Sequence, residues 1–286
     1  MQRSDVNRIL RQIQASAIIE SADFTIRNRK GTTDGLVYTL ACGEETKYVL
    51  KLDDPTQIRL AEMFLTAYRE SELLPRLLYA DPSKTFILYT YIEGTTYDNR
   101  GSKLDWMTDL VERLLNRYKP AEPSAGWGRI EYPCASWREF NERSLAYAAE
   151  DTAGLLSEED QRLARALFKR LKDEGPEAKY LLHGDTGVHN FVYSGNKLAG
   201  VIDPSPMAGP VLYDFTYAFC SSPDDLTIET LRASHALLQH GRAEEERLID
   251  EVVFQLYCRI GICRRHHPQD LDAYKEAWSY WKALVR

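Results

Sequence analysis

Tyr180-Leu181-Leu182-His183-Gly184-Asp185-Thr186-Gly187-Val188-His189-Asn190-Phe191-Val192-Tyr193, continued by Ser194-Gly195-Asn196 and by Leu198-Ala199-Gly200-Val201-Ile202-Asp203, is the stretch on which the fold turns. Apolar runs flank a polar loop and then a Ser-Gly-Asn turn, so it reads as strand, loop and hairpin. With the turn centred near Asn196, the numbers of cross-strand partners sum to about 392, within one of the sum for Asn190 and Asp203. The hairpin is therefore expected to bring an amide oxygen and a carboxylate face to face. Two oxygen ligands with open positions suit Mg²⁺ carrying phosphates, because that ion takes its remaining ligands from substrate and water. Asp185 sits just upstream in the same loop.

Upstream of this stretch the first ninety or so residues carry strand signals. Phe24-Thr25-Ile26-Arg27 alternates, residues 30–35 form a loop, and Leu36-Val37-Tyr38-Thr39-Leu40 and Tyr48-Val49-Leu50-Lys51-Leu52 flank a turn at Gly43. After Pro55, Ile58, Ala61, Leu65 and Tyr68 fall at helical spacing, and the pattern stops before Pro75. A further strand, Thr85-Phe86-Ile87-Leu88-Tyr89-Thr90-Tyr91-Ile92, ends at Glu93-Gly94. From Leu104 to about Lys172 the text is helical, with a Pro- and Gly-containing break over 119–133. The expectation is two lobes, residues 1–93 and 94–286.

The composition agrees with a globular chain of 286 residues and 32.9 kDa, about twice the usual domain length, with 44% hydrophobic and 28% charged residues. Residues 1–93 hold 12 basic and 13 acidic side chains, leaving 24 and 30, so −6 of the net −7 lies in the second lobe. That sign opposes nucleic-acid backbones and anionic membranes and favours a cationic or neutral small partner. The polar N-terminus leads into a short amphipathic pattern (Val6, Leu10, Ile13, Ala17) rather than a signal peptide, and no run approaches ~18 apolar residues. Five scattered cysteines are expected to stay reduced, and the protein reads as cytoplasmic, either monomer or homodimer.

His183-Gly184-Asp185 with Asn190 five residues on, then Ile202-Asp203, then Gly209 and Tyr213-Asp214, resembles the signature of the aminoglycoside phosphotransferases and choline-kinase-like small-molecule kinases. The resemblance implies an α+β, bilobal protein-kinase-like fold: a small N-terminal antiparallel sheet with a helix, and a larger, mainly helical C-terminal lobe. It implies that Asp185 is the catalytic carboxylate near the acceptor hydroxyl, and that Asn190 and Asp203 hold Mg²⁺ on the phosphates of ATP or GTP. His183 and Asp214 would support the catalytic loop, although Asp214 is equally suited to cap a helix beginning at Phe215. Lys51 matches the phosphate-binding lysine and is expected to pair with Glu62, with Glu72 on the same helical face as the alternative. Thr90 and Ile92 would face the purine with their backbone, Tyr89 would guard the back of that pocket and bias it toward guanine, and Gly31, Thr32 and Thr33 would cover the phosphates. The loop lacks the Gly-x-Gly-x-x-Gly of protein kinases, and Pro204 and Pro210 depart from the usual pattern.

The expected reaction is transfer of a nucleotide's terminal phosphate to a hydroxyl of an aminoglycoside-type antibiotic or similar amino sugar, which would give antibiotic resistance. The alternatives are a metabolic kinase of an amino alcohol or sugar and a catalytically silent nucleotide-binding module. His189 is read as substrate-facing or merely exposed. Asp224 and Asp225, with the acidic run at Glu244-Glu245-Glu246, are read as solvated faces or as the rim of a cationic acceptor site. Trp278, Tyr280 and Trp281 read as core, and Cys258, Cys263, His266 and His267 lack zinc-ligand spacing.

Overall fold

Alternation of apolar residues in the first third of the chain builds a five-stranded antiparallel sheet in the order β1-β2-β3-β5-β4. Its strands are β1 (Thr25–Arg29), β2 (Leu36–Cys42), β3 (Glu45–Leu52), β4 (Leu77–Ala80) and β5 (Phe86–Thr90). The computed structural model describes residues 3–20, 23–29, 36–96, 98–171 and 178–286. The chain divides into two compact units, Met1–Glu70 with Leu74–Glu93, and Ser71–Leu73 with Gly94–Arg286.

In the first unit, Tyr38, Leu40, Leu50, Leu52, Phe86 and Leu88 share one sheet face and are buried. Against them packs helix α1 (Arg3–Ala15), through Val6, Ile9, Leu10 and Ile13. Side chains alternate along a strand, so Lys51, between Leu50 and Leu52, projects to the opposite face. Helix α2 (Pro55–Ala67) starts where Asp54 accepts hydrogen bonds from the N–H groups of Thr56 and Gln57, with Pro55 in the first turn. It buries Ile58, Ala61, Phe64 and Leu65 and packs beside β4 and β5. The edge strand β4 has no sequence signal: it is four residues long and all are half-buried, so nothing alternates.

The second unit holds helices α3 (Lys103–Arg113), α4 (Trp137–Thr152), α5 (Glu158–Leu171), α6 (Val211–Phe219), α7 (Ile228–His235), α8 (Glu245–His266) and α9 (Leu271–Lys282). Helix α8 buries Val252, Val253, Leu256, Tyr257, Ile260 and Cys263, and α4, α5, α6 and α9 pack on it. Trp278 and Trp281 are fully buried, their indole N–H groups donating to Asp160 and to the carbonyl of Leu226, as core tryptophans require. Two small sheets interrupt the helices. One joins β6 (Gly128–Arg129), β10 (Met207–Gly209) and β7 (Tyr180–Leu182), and the other is the hairpin β8 (Phe191–Ser194) and β9 (Lys197–Val201). No helix of the described residues is long and apolar enough to cross a membrane.

Two expectations are corrected by this unit. The ladder pairs Phe191 with Val201 and Val192 with Gly200, so Asn190 lies opposite Ile202, whose N–H donates to its carbonyl at 2.9 Å, and not opposite Asp203. Helix α6 starts at Val211 with Pro210 as its cap, so Asp214 lies inside the first turn and does not cap it.

Candidate active site

The chain leaves β7 at Leu182 and enters the loop that carries Asp185. Gly184 has φ 78°, and a Cβ there would lie 2.1 Å from the Ser205 carbonyl oxygen, so only glycine lets the two segments approach. His183 is completely buried and joins both sides: its Nδ1 accepts from the Asp185 N–H at 3.3 Å, which leaves Nε2–H to donate to the Ile202 carbonyl at 3.1 Å. Burial lowers its pKa to about 4, so the ring is neutral near pH 7 and serves as a brace.

Asp214 braces the loop from beneath. Its buried carboxylate accepts from the Tyr118 hydroxyl at 2.6 Å and the Gly184 N–H at 3.2 Å, and its carbonyl accepts from the Thr186 hydroxyl at 2.7 Å. Burial raises its pKa to about 6 against the opposing pull of those bonds.

The carboxylate of Asp185 is held by two neighbours on its own loop. Oδ2 accepts from Asn190 Nδ2 at 3.0 Å and lies 3.3 Å from His189 Nε2, while Oδ1 is buried with no hydrogen bond among the described residues. Burial alone would raise its pKa, but the His189 bond and the charges of His189 and Arg129 outweigh it and bring the value to about 2. An anionic oxygen aimed away from all its protein donors is suited to receive a substrate hydroxyl.

Asn190 turns its amide nitrogen to Asp185, which frees its carbonyl oxygen for another ligand. Asp203 lies two residues past the end of β9 with φ 59°, a left-handed conformation that costs a non-glycine residue roughly 1–2 kcal/mol. The donor set is therefore all oxygen, one amide and one carboxylate, which fits a hard cation such as Mg²⁺ that keeps water and phosphate ligands.

The structure reveals residues here that the sequence did not. Arg129, on β6, donates from Nη1 to the carbonyl of Ser205 at 3.0 Å and contacts the Ser205 hydroxyl, and so ties the segment after Asp203 to β6. His189, read as substrate-facing or exposed, touches Asp185. The ring of Tyr217 on α6 lies 3.6 Å from where a Cβ on Gly187 would stand, against the loop that carries Asp185. Burial, together with the charge of Asp185, pushes the Tyr217 pKa well up, so the phenol remains protonated.

In the first unit, Lys51 stands opposite Val37 and Ile87, with Nζ 3.6 Å from Asp53. The pair expected between Lys51 and Glu62 is corrected: Glu62 binds Lys84 at 2.6 Å, because the turn between β4 and β5 brings Lys84 to α2. The alternative partner, Glu72, lies 3.9 Å from Arg113. The Thr90 N–H donates to the Arg76 carbonyl at 3.0 Å, whereas the Ile92 N–H makes no hydrogen bond among the described residues. Gly31, Thr32 and Thr33 lie outside the described residues.

Comparison with known proteins follows this geometry. The model of the phosphotransferase enzyme family matches residues 25–251. Among solved structures, a candidate aminoglycoside phosphotransferase of Ralstonia eutropha JMP134 is similar at TM-score 0.65 and 13% identity, covering 97% of this chain and 98% of its own. The aminoglycoside phosphotransferase APH(4)-Ia, in ternary complex with ADP and hygromycin B, reaches TM-score 0.60 at 14% identity, with 97% of each chain covered. Choline kinase LicA of Streptococcus pneumoniae reaches 0.61 at 13%, covering 98% of this chain and 99% of its own. No curated protein sequence matches. The fold is thus kinase-like, and with most of its length matched, the chain belongs to the phosphotransferase enzyme family as a small-molecule phosphotransferase.

Proposed function

We propose that this enzyme moves the terminal phosphate of a Mg²⁺-bound nucleotide, ATP or alternatively GTP, to a hydroxyl of a small molecule in the cytoplasm. The observation that carries the reading is the Asp185 carboxylate, ionised, oriented through Oδ2 by Asn190 and His189, and with Oδ1 bare. In phosphoryl transfer the transition state is largely dissociative, so a base is needed late and positioning matters most. Asp185 orients the acceptor hydroxyl. As the new O–P bond forms and the bond to the bridging oxygen breaks, the hydroxyl proton passes to Asp185 and from there to solvent. Asn190 and Asp203 would hold the metal, which supplies charge neutralisation on the phosphates. In the first unit, Lys51 would supply a cation for nucleotide phosphate, the backbone of Thr90 and Ile92 would take the purine, and Gly31, Thr32 and Thr33 would complete the nucleotide-binding set.

Likeness to an aminoglycoside phosphotransferase and the acidity of the second unit support an aminoglycoside-type acceptor and a role in resistance. A specific observation favours the other class, a sugar or related metabolite: around the cavity described below, the half-buried and buried carboxylates Asp151, Asp250 and Glu251 are already paired with arginines. The test is ADP and GDP release by purified protein with Mg²⁺ over a panel of aminoglycosides, amino alcohols and sugars, beside Asp185→Asn. Acceptor-dependent release that vanishes in the variant is the expected result. Release that persists in Asp185→Asn would remove that residue from the chemistry.

A further inference from the structure

Between α4, α6 and α8 lie two adjoining cavities of about 380 and 830 Å³. They share four lining residues, Asn141, Tyr213, Phe254 and Gln255. At this junction the two carboxamides are only 7% and 8% exposed, and neither side chain makes a hydrogen bond among the described residues. The Tyr213 and Tyr217 hydroxyls, on the wall of the smaller cavity, are likewise without hydrogen bonds among the described residues. Two carboxamides and two phenols, their polar atoms open to the cavities and bonded by no protein group among the described residues, make a recognition surface that a ligand can complete.

The chemistry of the lining narrows what that complement is. Asp151 is bonded to Arg265 at 2.8 Å, Asp250 bidentately to Arg170 at 2.7 and 2.5 Å, and Glu251 to Arg247 at 2.8 Å. Glu244 and Glu246 are exposed to solvent. A polycation seated at the junction would find Asp151, Asp250 and Glu251 already neutralised by arginines, with Glu244 and Glu246 on the larger cavity alone. Carboxamides and phenols, by contrast, each donate and accept, as alcohol groups do. Trp137 and Phe254, both buried, add flat apolar walls.

We propose that this junction binds the acceptor, and that the acceptor is an uncharged, polyhydroxylated glycoside with an apolar ring face, held by Asn141 and Gln255. The inference rests on the reading of Asp185 as the catalytic carboxylate, and Tyr217 links the two places: it lines the smaller cavity and lies against the loop two residues beyond Asp185. Asn141 and Gln255 touch the body of the substrate and set specificity. They do not touch the reacting atoms.

The test is calorimetric titration of the intact protein with neutral mono-, di- and trisaccharide glycosides, with and without aryl groups, and with kanamycin as the polycation. Wild type is expected to bind at least one neutral glycoside, with Kd raised about tenfold, the equivalent of one hydrogen bond, in Asn141→Leu and in Gln255→Met. In turnover the same variants raise KM and leave kcat near wild type. If Asn141→Leu does not fold, the isosteric Asn141→Asp serves, and it is expected to weaken the neutral glycoside while admitting kanamycin. Binding of kanamycin with silence across the neutral panel, silence across both, or variants that bind like wild type would each overturn the proposal. Glycoside binding that the variants weaken, without any nucleotide-dependent turnover, would overturn the assignment of the junction to the acceptor through failure of the kinase reading, whereas absence of glycoside binding overturns it at the junction itself, so the two failures are told apart.

Discussion

The amide nitrogen of Asn190 lies 3.0 Å from both the carbonyl oxygen and Oδ2 of Asp185, five residues upstream. One side chain thus orients the candidate catalytic carboxylate and presents its own carbonyl oxygen toward the proposed metal. The two functions separate by mutation. Asp185→Asn is expected to lower kcat by about 10²–10⁴ with nucleotide binding unchanged. Asn190→Ala is expected to lower kcat and also to raise the Mg²⁺ concentration needed for half-maximal rate. Steady-state rates across a Mg²⁺ titration check this, and an Asn190→Ala enzyme with an unaltered Mg²⁺ dependence would refute the double role.

His183 and Asp214 brace the same loop and titrate in opposite senses. The His183 pKa falls from 6.5 to about 4 on folding, so its contribution to stability is present above pH 6.5 and is lost as pH falls from there toward 4. The Asp214 pKa rises from 3.8 to about 6, so its contribution is present below 3.8 and is lost as pH rises through 6. Over pH 4–6 the two largely cancel. Relative to wild type, Asp214→Asn should gain stability with rising pH across this window, by about 3 kcal/mol at most, and His183→Gln should lose it. Urea unfolding at pH 4.5 and 6.5 reads both signs, and parallel profiles for the three proteins would show that neither group is shifted.

Arg129 is a positioning residue whose bonds end on Ser205, just past Asp203, and whose charge helps hold Asp185 ionised. Arg129→Met is expected to lower kcat by tenfold or more and to move the acid limb of kcat/KM to higher pH, with Arg129→Lys in between, because it restores the charge but not the planar fork. A pH–rate profile of Arg129→Met that superimposes on wild type apart from scale would reduce the arginine to a structural tie.

The loop and hairpin that carry Asp185, Asn190 and Asp203 were legible, because local sequence dictates local geometry. The ladder placed Asn190 one position away from the expected partner, opposite Ile202, and Asp203 reaches its place through a left-handed backbone that spacing does not encode. Arg129, Asn141 and Gln255 sit 56, 44 and 70 positions from Asp185 on β6, α4 and α8, so only the packing of those elements reveals them. Glu62 was read correctly as a helix-face acid that wants a cation. Its partner, Lys84, comes from a turn closing an edge strand too short to announce itself.

Lys103 gives the sharpest test of packing in the second unit. It opens α3 behind the Ser102 cap, yet its side chain turns inward, 1% exposed, and Nζ donates to the carbonyls of Phe219 at 2.8 Å and Ser222 at 2.7 Å, near the Phe219 ring. Two acceptors satisfy a neutral amine, and burial lowers the pKa from 10.5 to about 7. Because the folded value lies below the unfolded one, stability is fullest above pH 10.5 and is lost as pH falls toward 7. Lys103→Met keeps the volume, removes the titration and leaves two carbonyls without a donor, at about 1–3 kcal/mol each. The variant should therefore lie closest to wild type at pH 7, where the buried amine is costliest, and fall behind by a further few kcal/mol by pH 9.5. Denaturant midpoints at the two pH values measure the divergence; a constant gap would mean that the amine does not change its charge state on folding.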